Sequence, residues 1–371
     1  MTTLWDSTTL GPITLKNRFW RGAFHERLAT PEGYITPELL DLYQEIINGG
    51  AGCILTSYTR VMADDFPNFN MLGMFTDDHI PGYLPLTQRA HEAHVAIIMQ
   101  LAYGGARTVN GEPDHRIWGP SAIENPRTHV TPSAMTKADI GELVDSFAAA
   151  AFRAKQAGFD GVQVHGAHGY LLSTWLSPYF NRRDDEYGGS IGNRTRIFVE
   201  IHQAIQKKCG PDYPVLVKFN CTDYAYGGLT EEDSVRFCQI LEHAGYAAME
   251  ISGGNECFPE VAAADLGPSR KKLAKHPERT SYFANYAQKL SRAIDAPIIL
   301  TGGNRVPATM EDILGKGYAD YFGIARPLNA QPDLIHLWEH DESAEPKCVA
   351  CNKCFKTVGH RCILRPGTQL L

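Results

Sequence analysis

The sequence predicts a (β/α)₈ barrel, on three observations. Eight short runs are apolar and rich in β-branched residues without alternation, which is typical of buried parallel strands. Helical patterns lie between most of these runs, and several end in glycine just before the next run, as a helix does when the chain re-enters a sheet. The number of strands is eight, and eight parallel strands that alternate with helices close such a barrel.

The predicted strands are NRFWRGAF (17–24), AGCILTSYT (51–59), HVAIIMQLA (94–102), FDGVQVHGA (159–167), YPVLVKFN (213–220), YAAMEISGG (246–254), APIILTGG (296–303) and ADYFGIAR (319–326). The clearest helical patterns are ELLDLYQEIINGG, ADIGELVDSFAAAAFRAKQAG, RTRIFVEIHQAIQKKCG and EEDSVRFCQILEHAG. The long gap after the third strand begins with a segment rich in Gly and Pro, which favours a loop excursion over the barrel mouth. We expect one barrel domain over 1–345 and a cysteine-rich tail over 346–371.

Charge and hydropathy exclude several classes of protein. The 35 Lys and Arg residues against 42 Asp and Glu residues give a net charge of -7, which argues against a nucleic-acid binder. We find neither a run of about 18 apolar residues, which a membrane span needs, nor a basic amphipathic helix face for membrane docking. The start of the chain lacks the pattern of a secretory signal. We therefore expect a cytoplasmic protein with a small-molecule partner, and leave a homo-oligomer open.

The richest candidate site is the stretch 162–196, which follows the fourth predicted strand. Barrel enzymes place their chemistry where strands end at the carboxyl edge. His165 and His168 would form a pair of N–H donors for a carbonyl oxygen that gains negative charge, and Tyr170 would supply a proton to a neighbouring carbon. The His-x-x-His spacing also suits a metal, although no third ligand lies nearby in the sequence. The other alternative is that these polar residues only form hydrogen bonds within a loop.

Two glycine turns, ILTGGNR and GIARPL, follow the seventh and eighth predicted strands. Barrel enzymes often hold a phosphate there. The backbone N–H groups of Gly303, Asn304, Ala325 and Arg326 fit that role, and the Arg326 guanidinium can pair with the phosphate. Tight turns without a ligand remain the alternative.

Lys218 lies within an otherwise apolar strand, where a buried charge is costly unless it is paired. It either pairs with Asp223 or Glu250 or faces a bound anionic group. Gln100 also lies within an apolar strand, so its side chain needs a partner as well, although an uncharged amide is less costly to bury than a charge. The sequence contains no G-x-G-x-x-G between a strand and a helix, so a Rossmann dinucleotide site is not supported.

Together these residues resemble the old yellow enzyme family of flavin-dependent ene-reductases, over about residues 4–335. LGPITLKNR resembles the family's opening strand. HGAHGYLLSTWLSP followed by NRRDDEYGGSIGNRTR is the most specific block. His165, His168 and Tyr170, then Lys218, then TGGN and AR follow the family's order. The resemblance implies a (β/α)₈ barrel with non-covalent FMN and with NADH or NADPH as the hydride donor.

The resemblance also implies a role for each site residue. Gln100 would bind the pyrimidine edge of the flavin, and Lys218 would stabilise the negatively charged reduced flavin. His165 and His168 would bind the substrate carbonyl, and Tyr170 would protonate the α-carbon. The positions assigned to the cofactor are Ala23, Phe24, His25, Tyr58, Gln100, Lys218, Gly253, Gly303, Asn304, Ala325 and Arg326.

The sequence departs from the family after the first strand. Ala23, Phe24 and His25 stand where members often have Pro-Met followed by Cys or Thr. Arg27 stands where a substrate-facing Tyr is common, and Tyr58 replaces a small residue. An additional Arg and His near the flavin would suit an anionic or polar substrate, which makes Arg27 a candidate substrate-binding residue. A solvent-directed Arg27 is the alternative.

The tail carries Cys348, Cys351, Cys354 and Cys362 in a C-x₂-C-x₂-C-x₇-C pattern. Larger family members have an iron–sulfur site at this point with a different spacing, followed by a second domain. Because the sequence ends nine residues after Cys362, we expect no such domain. We assign no metal site and read the tail as thiol-rich and structural. Thiolate ligation of zinc or a cluster is the alternative.

The leading functional hypothesis is an FMN-dependent NAD(P)H oxidoreductase that reduces the C=C bond of an α,β-unsaturated carbonyl compound by ping-pong hydride transfer. A second hypothesis keeps the flavin but oxidises or dealkylates an amine or a steroid-like compound. A third, from another class, is a non-catalytic flavin-binding protein with a stress or interaction role. The joint presence of His165, His168 and Tyr170 weighs against the third.

Overall fold

Eight parallel strands close on themselves in the computed structural model, which describes residues 2–108 and 116–371. The strands are β1 (Thr8–Leu10), β2 (Ile13–Leu15), β3 (Phe19–Arg21), β4 (Cys53–Arg60), β5 (Leu72–Gly73), β6 (Ala96–Ala102), β7 (Trp118–Gly119), β8 (Ser133–Ala134), β9 (Gly161–Gly166), β10 (Val215–Asn220), β11 (Ala248–Ser252), β12 (Ile298–Thr301) and β13 (Tyr321–Ile324). The helices are α1 (Pro37–Ile47), α2 (Ile80–Glu92), α3 (Lys137–Gln156), α4 (Leu171–Leu176), α5 (Ile191–Cys209), α6 (Glu231–Ala244), α7 (Pro259–Ala263), α8 (Ala284–Leu290), α9 (Pro307–Gly315), α10 (Arg326–Ala330) and α11 (Leu334–His340).

The barrel runs in the order β3, β4, β6, β9, β10, β11, β12 and β13, and β13 pairs with β3 to close it. Each of the eight predicted runs coincides with one of these strands, with β4 extending one residue beyond its run, so the predicted (β/α)₈ fold is confirmed. The four helical patterns correspond to α1, α3, α5 and α6. No helix in the described part of the chain is long and apolar enough to cross a bilayer.

Local sequence explains where the main helices begin and end. Thr136 and Asp139 form a reciprocal capping box at the start of α3, and Thr230 accepts a hydrogen bond from the Asp233 N–H at the start of α6. Helix α6 ends at Gly245, whose φ of 97° is unfavourable for residues with a side chain. Gly245 thus ends α6 just before the chain enters β11.

Alternation along the strands separates the barrel interior from its outer surface. Apolar interior side chains fill the amino-terminal half, and the alternate residues pack outward against the helices. The interior cluster consists of Leu10, Ile13, Leu15, Trp20, Cys53, Leu55, Ala96, Ile98, Leu216, Ala248, Ile299 and Tyr321. Three of these belong to an antiparallel hairpin of β1 and β2, which plugs the barrel floor.

The resemblance implies one opening strand at LGPITLKNR, whereas the chain forms this hairpin there, before the first barrel strand. Three-residue strands are too short to show a periodic pattern. The predicted excursion after β6 contains the short pair β7 and β8. Its residues 109–115 lie outside the described part.

We predict that Leu15→Ala lowers the free energy of unfolding by about 2–5 kcal/mol, because it opens a cavity in the plug. Leu15 is fully buried among the interior side chains. The matched control is Thr14→Ala, one position along the same strand and exposed. Denaturant titration of both variants measures the difference, and equal midpoints would contradict the role given to the hairpin.

Candidate active site

A cleft of about 500 Å³ opens at the carboxyl ends of the barrel strands. Most of the sequence-predicted site residues line it. These are Ala23, Phe24, His25, Tyr58, Gln100, His165, His168, Tyr170, Lys218, Gly303, Asn304, Ala325 and Arg326. Two predicted residues do not belong to this lining. The Arg27 guanidinium lies 5.7 Å from the centre of the Phe69 ring, and a Cβ on Gly253 would come within 2.7 Å of Phe283.

The floor of the cleft is a buried ion pair. Parallel register sets Lys218 beside His165 on one neighbouring strand and Glu250 on the other. Lys218 Nζ lies 2.6 Å from Glu250 Oε1, and both side chains are almost completely buried. Of the two partners that the sequence allowed, the structure selects Glu250. A buried pair of this kind is tolerated when further hydrogen bonds satisfy its remaining polar atoms.

Those further bonds come from two polar side chains, Thr301 and Gln163, and Gln100 extends the network. Thr301 Oγ1 donates to Glu250 Oε1 at 2.7 Å, and Gln163 Nε2 donates to Oε2 at 2.7 Å. Gln100 Nε2 in turn donates to Gln163 Oε1 at 2.7 Å. Above its apolar plug the barrel interior thus becomes a connected polar layer, and Gln100, Lys218 and Thr301 line the cleft from it.

The two histidines and the tyrosine form a compact group over this floor. The ring centroids of His165 and His168 are 5.1 Å apart, and those of His165 and Tyr170 are also 5.1 Å apart. His168 has a left-handed backbone with φ of 64°, and its Nε2 lies 2.7 Å from Ser252 Oγ. His165 Nδ1 is buried without a hydrogen-bond partner in the described structure.

The electrostatics keep both imidazoles neutral. Burial, followed by the charges of Lys218 and Arg107, holds the pKa of His165 well below its usual value. Burial and the neighbouring His165 have the same effect on the pKa of His168. Neutral imidazoles each offer one N–H donor without bringing a charge of their own. The pair can therefore donate hydrogen bonds to an oxygen that becomes negative.

Arg107 is a site residue that the sequence analysis did not identify. Its guanidinium carbon lies 4.6 Å from the centre of the Tyr170 ring. Its Nη1 donates to the His168 carbonyl at 2.7 Å and to Glu256 Oε2 at 2.8 Å. On the hydroxyl side, Asn68 Nδ2 donates to Tyr170 Oη at 3.2 Å. Arg107 ends a single 3-10 turn, Gly105–Arg107, that follows β6, and a segment this short has no periodicity to mark the direction of its side chains.

The glycine turns lie together at the other end of the cleft. The backbone N–H groups of Gly303, Asn304, Ala325 and Arg326 make no hydrogen bond within the described structure. The Asn304 side chain fixes this geometry, since its Nδ2 donates to the carbonyls of Leu300 at 2.6 Å and Gly323 at 3.1 Å. Free N–H groups beside a guanidinium suit a phosphate.

The segment that follows β3 packs against the tail. Phe24 stacks on Phe355 with a centroid distance of 5.7 Å. His360 Nδ1 lies 2.6 Å from the His25 carbonyl oxygen. Burial, followed by the charge effect of His360, lowers the pKa of His25 to about 3. The tail thus forms a wall of the cleft, which composition alone did not indicate.

The tail cysteines are all present as free thiols. Cys348 borders the cleft, Cys351 is exposed, and Cys354 and Cys362 are buried. Among residues 2–108 and 116–371, no group of three or more His, Cys, Asp or Glu side chains is arranged to hold a metal ion.

The cleft suits FMN in four respects. A row of free N–H groups is available for a phosphate, and Gln100 offers a buried amide for a polar ring edge. The unpartnered His165 Nδ1 indicates that something polar completes the site. The volume of about 500 Å³ also leaves the cleft within the usual size of cofactor pockets.

Comparison with known proteins agrees with this geometry. Residues 3–344 match the model of the NADH:flavin oxidoreductase / NADH oxidase family. The chain is 33% identical to an NADPH dehydrogenase of a Geobacillus species, over 89% of this chain and 92% of the relative. It is 30% identical to an NADH oxidase of Thermoanaerobacter brockii, over 98% of this chain and 56% of that protein.

Among solved structures, a 2-naphthoyl-CoA reductase superposes with a TM-score of 0.88 at 25% identity, covering 98% of this chain and 57% of that one. The chain thus spans about half the length of that reductase and of the NADH oxidase. With the family model matched over most of its length, the chain belongs to the NADH:flavin oxidoreductase / NADH oxidase family, the old yellow enzyme family of oxidoreductases that use FMN and a nicotinamide nucleotide.

Proposed function

We propose that this protein uses NADH or NADPH to reduce the C=C bond of an α,β-unsaturated carbonyl compound. The observation that carries the proposal is the group of His165, His168 and Tyr170 over a charged cleft floor. Two neutral donors and one hydroxyl acid are what such a reduction requires, because the carbonyl oxygen gains charge and the α-carbon gains a proton. FMN, when bound, supplies the hydride for the β-carbon.

Each end of the cleft holds a different part of that cofactor in the proposal. Gly303, Asn304, Ala325 and Arg326 would bind the phosphate through their free N–H groups. Gln100 and Lys218 would contact the polar edge of the ring system. Since one cleft would serve the nicotinamide nucleotide and the substrate in turn, we expect ping-pong kinetics.

His165 and His168 bind and polarise the carbonyl oxygen. His168 is fixed by the Ser252 contact at Nε2, which leaves Nδ1 free to face a ligand. The rigid placement matters, because preorganised donors stabilise developing charge without rearranging during the reaction. Burial holds the pKa of both rings well below the usual histidine value, so both act as neutral donors.

Tyr170 transfers the proton from its hydroxyl oxygen to the α-carbon. When the proton leaves, the negative charge on Oη is stabilised by the Arg107 cation above the ring and by the Asn68 amide at 3.2 Å. Arg107 acts through Tyr170 and is therefore a positioning residue.

We predict that His165→Ala or His168→Ala lowers the turnover of 2-cyclohexen-1-one by more than tenfold, because losing one oxyanion donor typically costs about 2.7–4 kcal/mol. The FMN content should stay nearly unchanged. His91→Ala, on the outer helix α2, is the control. Steady-state assays measure turnover, and wild-type rates in both site variants would refute the donor role.

Tyr170→Phe should separate the two halves of the reaction. Flavin reduction by NAD(P)H needs no proton donor at carbon, so it should proceed almost as in the wild type, whereas re-oxidation by an enone should slow by about 10²-fold or more. Re-oxidation by oxygen should persist. Stopped-flow absorbance measures each half, and equal slowing of both halves would make Tyr170 a structural residue.

Glu250→Gln should raise the reduction potential of bound FMN, because it removes the carboxylate that neutralises Lys218 at 2.6 Å. A shift on the order of 30 mV corresponds to about 1.4 kcal/mol for a two-electron couple. Glu339→Gln removes the same charge from the exposed end of α11 and is the control. Spectroelectrochemical titration measures the potential, and an unchanged or lower value would contradict this coupling.

A further inference from the structure

The outer part of the cleft contains three cations that the proposed chemistry does not use. Arg127, Lys271 and Lys356 line the cleft from three separate segments: the excursion after β6, the loop after α7, and the tail. We call these three residues the outer cations. All three are exposed to solvent, and Arg127 Nη1 also donates to the Glu256 carbonyl oxygen at 3.2 Å.

The carboxylates that line the same cleft are already engaged. Glu256 pairs with Arg107 at 2.8 Å. Asp265 pairs with Arg279 at 2.7 Å and also accepts a hydrogen bond from the Lys271 backbone N–H. Within residues 2–108 and 116–371, none of the outer cations forms an ion pair with a carboxylate. The cleft mouth therefore carries excess positive charge on a chain whose net charge is -7.

Two segments that carry the lysines are fastened to each other. Lys272 N–H donates to the Ala350 carbonyl at 3.0 Å, and Asn352 Nδ2 donates to the Ser269 carbonyl at 2.6 Å. Arg326 Nη1 joins both segments, since it donates to the Arg270 carbonyl at 2.8 Å and to Asn352 Oδ1 at 2.6 Å. Loop 267–272 and tail 348–356 thus form one wall, and Lys271 and Lys356 project from a fixed backbone.

We propose that the outer cations form a subsite for an anionic group, a carboxylate or a phosphate, carried by the molecule that binds over His165 and Tyr170. The inference rests on the proposed function and narrows its ligand class. A cleft lined by one sign of charge concentrates ligands of the opposite sign, and Lys and Arg donate charge-assisted hydrogen bonds to such groups. Two sources share this chemistry: an anionic substituent of the unsaturated substrate and the diphosphate of the nicotinamide nucleotide.

The test reverses the charge of Lys271 and Lys356 and compares this with a matched variant. The pair Lys272 and Lys353 lies on the same two segments and is equally exposed, but neither residue lines the cleft. Lys271→Glu/Lys356→Glu and Lys272→Glu/Lys353→Glu change the net charge by the same amount. Any difference between them therefore reports position and not overall charge.

The first arm uses holoenzyme reduced photochemically under argon, so that no nicotinamide is present. It is mixed with 4-phenyl-3-buten-2-one or with its 4-carboxyphenyl analogue, which share the reacting bond and differ in charge. We expect the wild type to prefer the carboxylate. The Lys271/Lys356 variant should reduce that preference about five- to tenfold, and the Lys272/Lys353 variant should keep it within about twofold. Raising the salt concentration should weaken the preference.

The second arm measures reduction of the oxidised holoenzyme by NADPH and by reduced nicotinamide mononucleotide, which lacks the diphosphate. If the Lys271/Lys356 variant is reduced more slowly by NADPH but not by the mononucleotide, the subsite binds the nucleotide. If instead the variant loses its preference for the carboxylate enone in the first arm, the subsite binds the substrate. Equal behaviour of the two double variants in both arms overturns the proposal. Failure of wild-type enzyme to react with the neutral enone would instead refute the proposed function.

Discussion

The buried pair of Lys218 and Glu250 is the interaction around which the site is built. Removing two charges from water inside a barrel is expensive, and the cost is offset only by close contact and by complete hydrogen bonding. Glu250 meets this condition with partners from β9, β10 and β12 at 2.6–2.7 Å. The register of β10 against β9 also sets His165 beside Lys218, and Gln100 joins the network through its hydrogen bond to Gln163. An apolar plug below and a polar layer above divide the barrel into a stabilising half and a functional half.

The mouth of the barrel is completed by parts of the chain far apart in sequence. Arg107 connects the Tyr170 ring to the loop that contains Glu256, and the Phe24–Phe355 stack holds the tail against the segment that follows β3. Arg326 has two roles. Its backbone N–H is free to bind an anion, and its guanidinium holds the tail through Asn352. The tail is therefore part of the cleft wall, and one of its thiols, Cys348, borders the cleft.

The fold and the inner site follow from sequence because their signals are local. Eight apolar runs mark the strands, and the strand ends bring Gln100, His165 and Lys218 together through the rule that parallel strands share a carboxyl edge. A lysine within an apolar strand predicts that Lys218 has an acidic partner or a bound anion. Only the strand register decides between Asp223 and Glu250 as that partner. Arg107 and Lys356 had no such signal, since loops and tails lack periodicity and their contacts are long-range. Arg27 illustrates the opposite case: its position suggested the cleft, whereas its left-handed backbone, with φ of 56°, accompanies a side chain that packs on Phe69.

In the proposed function, one cleft passes electrons from a nicotinamide nucleotide to a carbon–carbon double bond. Anaerobic absorbance titration of the purified holoenzyme tests it most directly. The flavin band should bleach on addition of NADH or NADPH and return in full when 2-cyclohexen-1-one is added under argon, with cyclohexanone formed in equal amount. A flavin that bleaches but stays reduced with the enone until air is admitted would contradict the account.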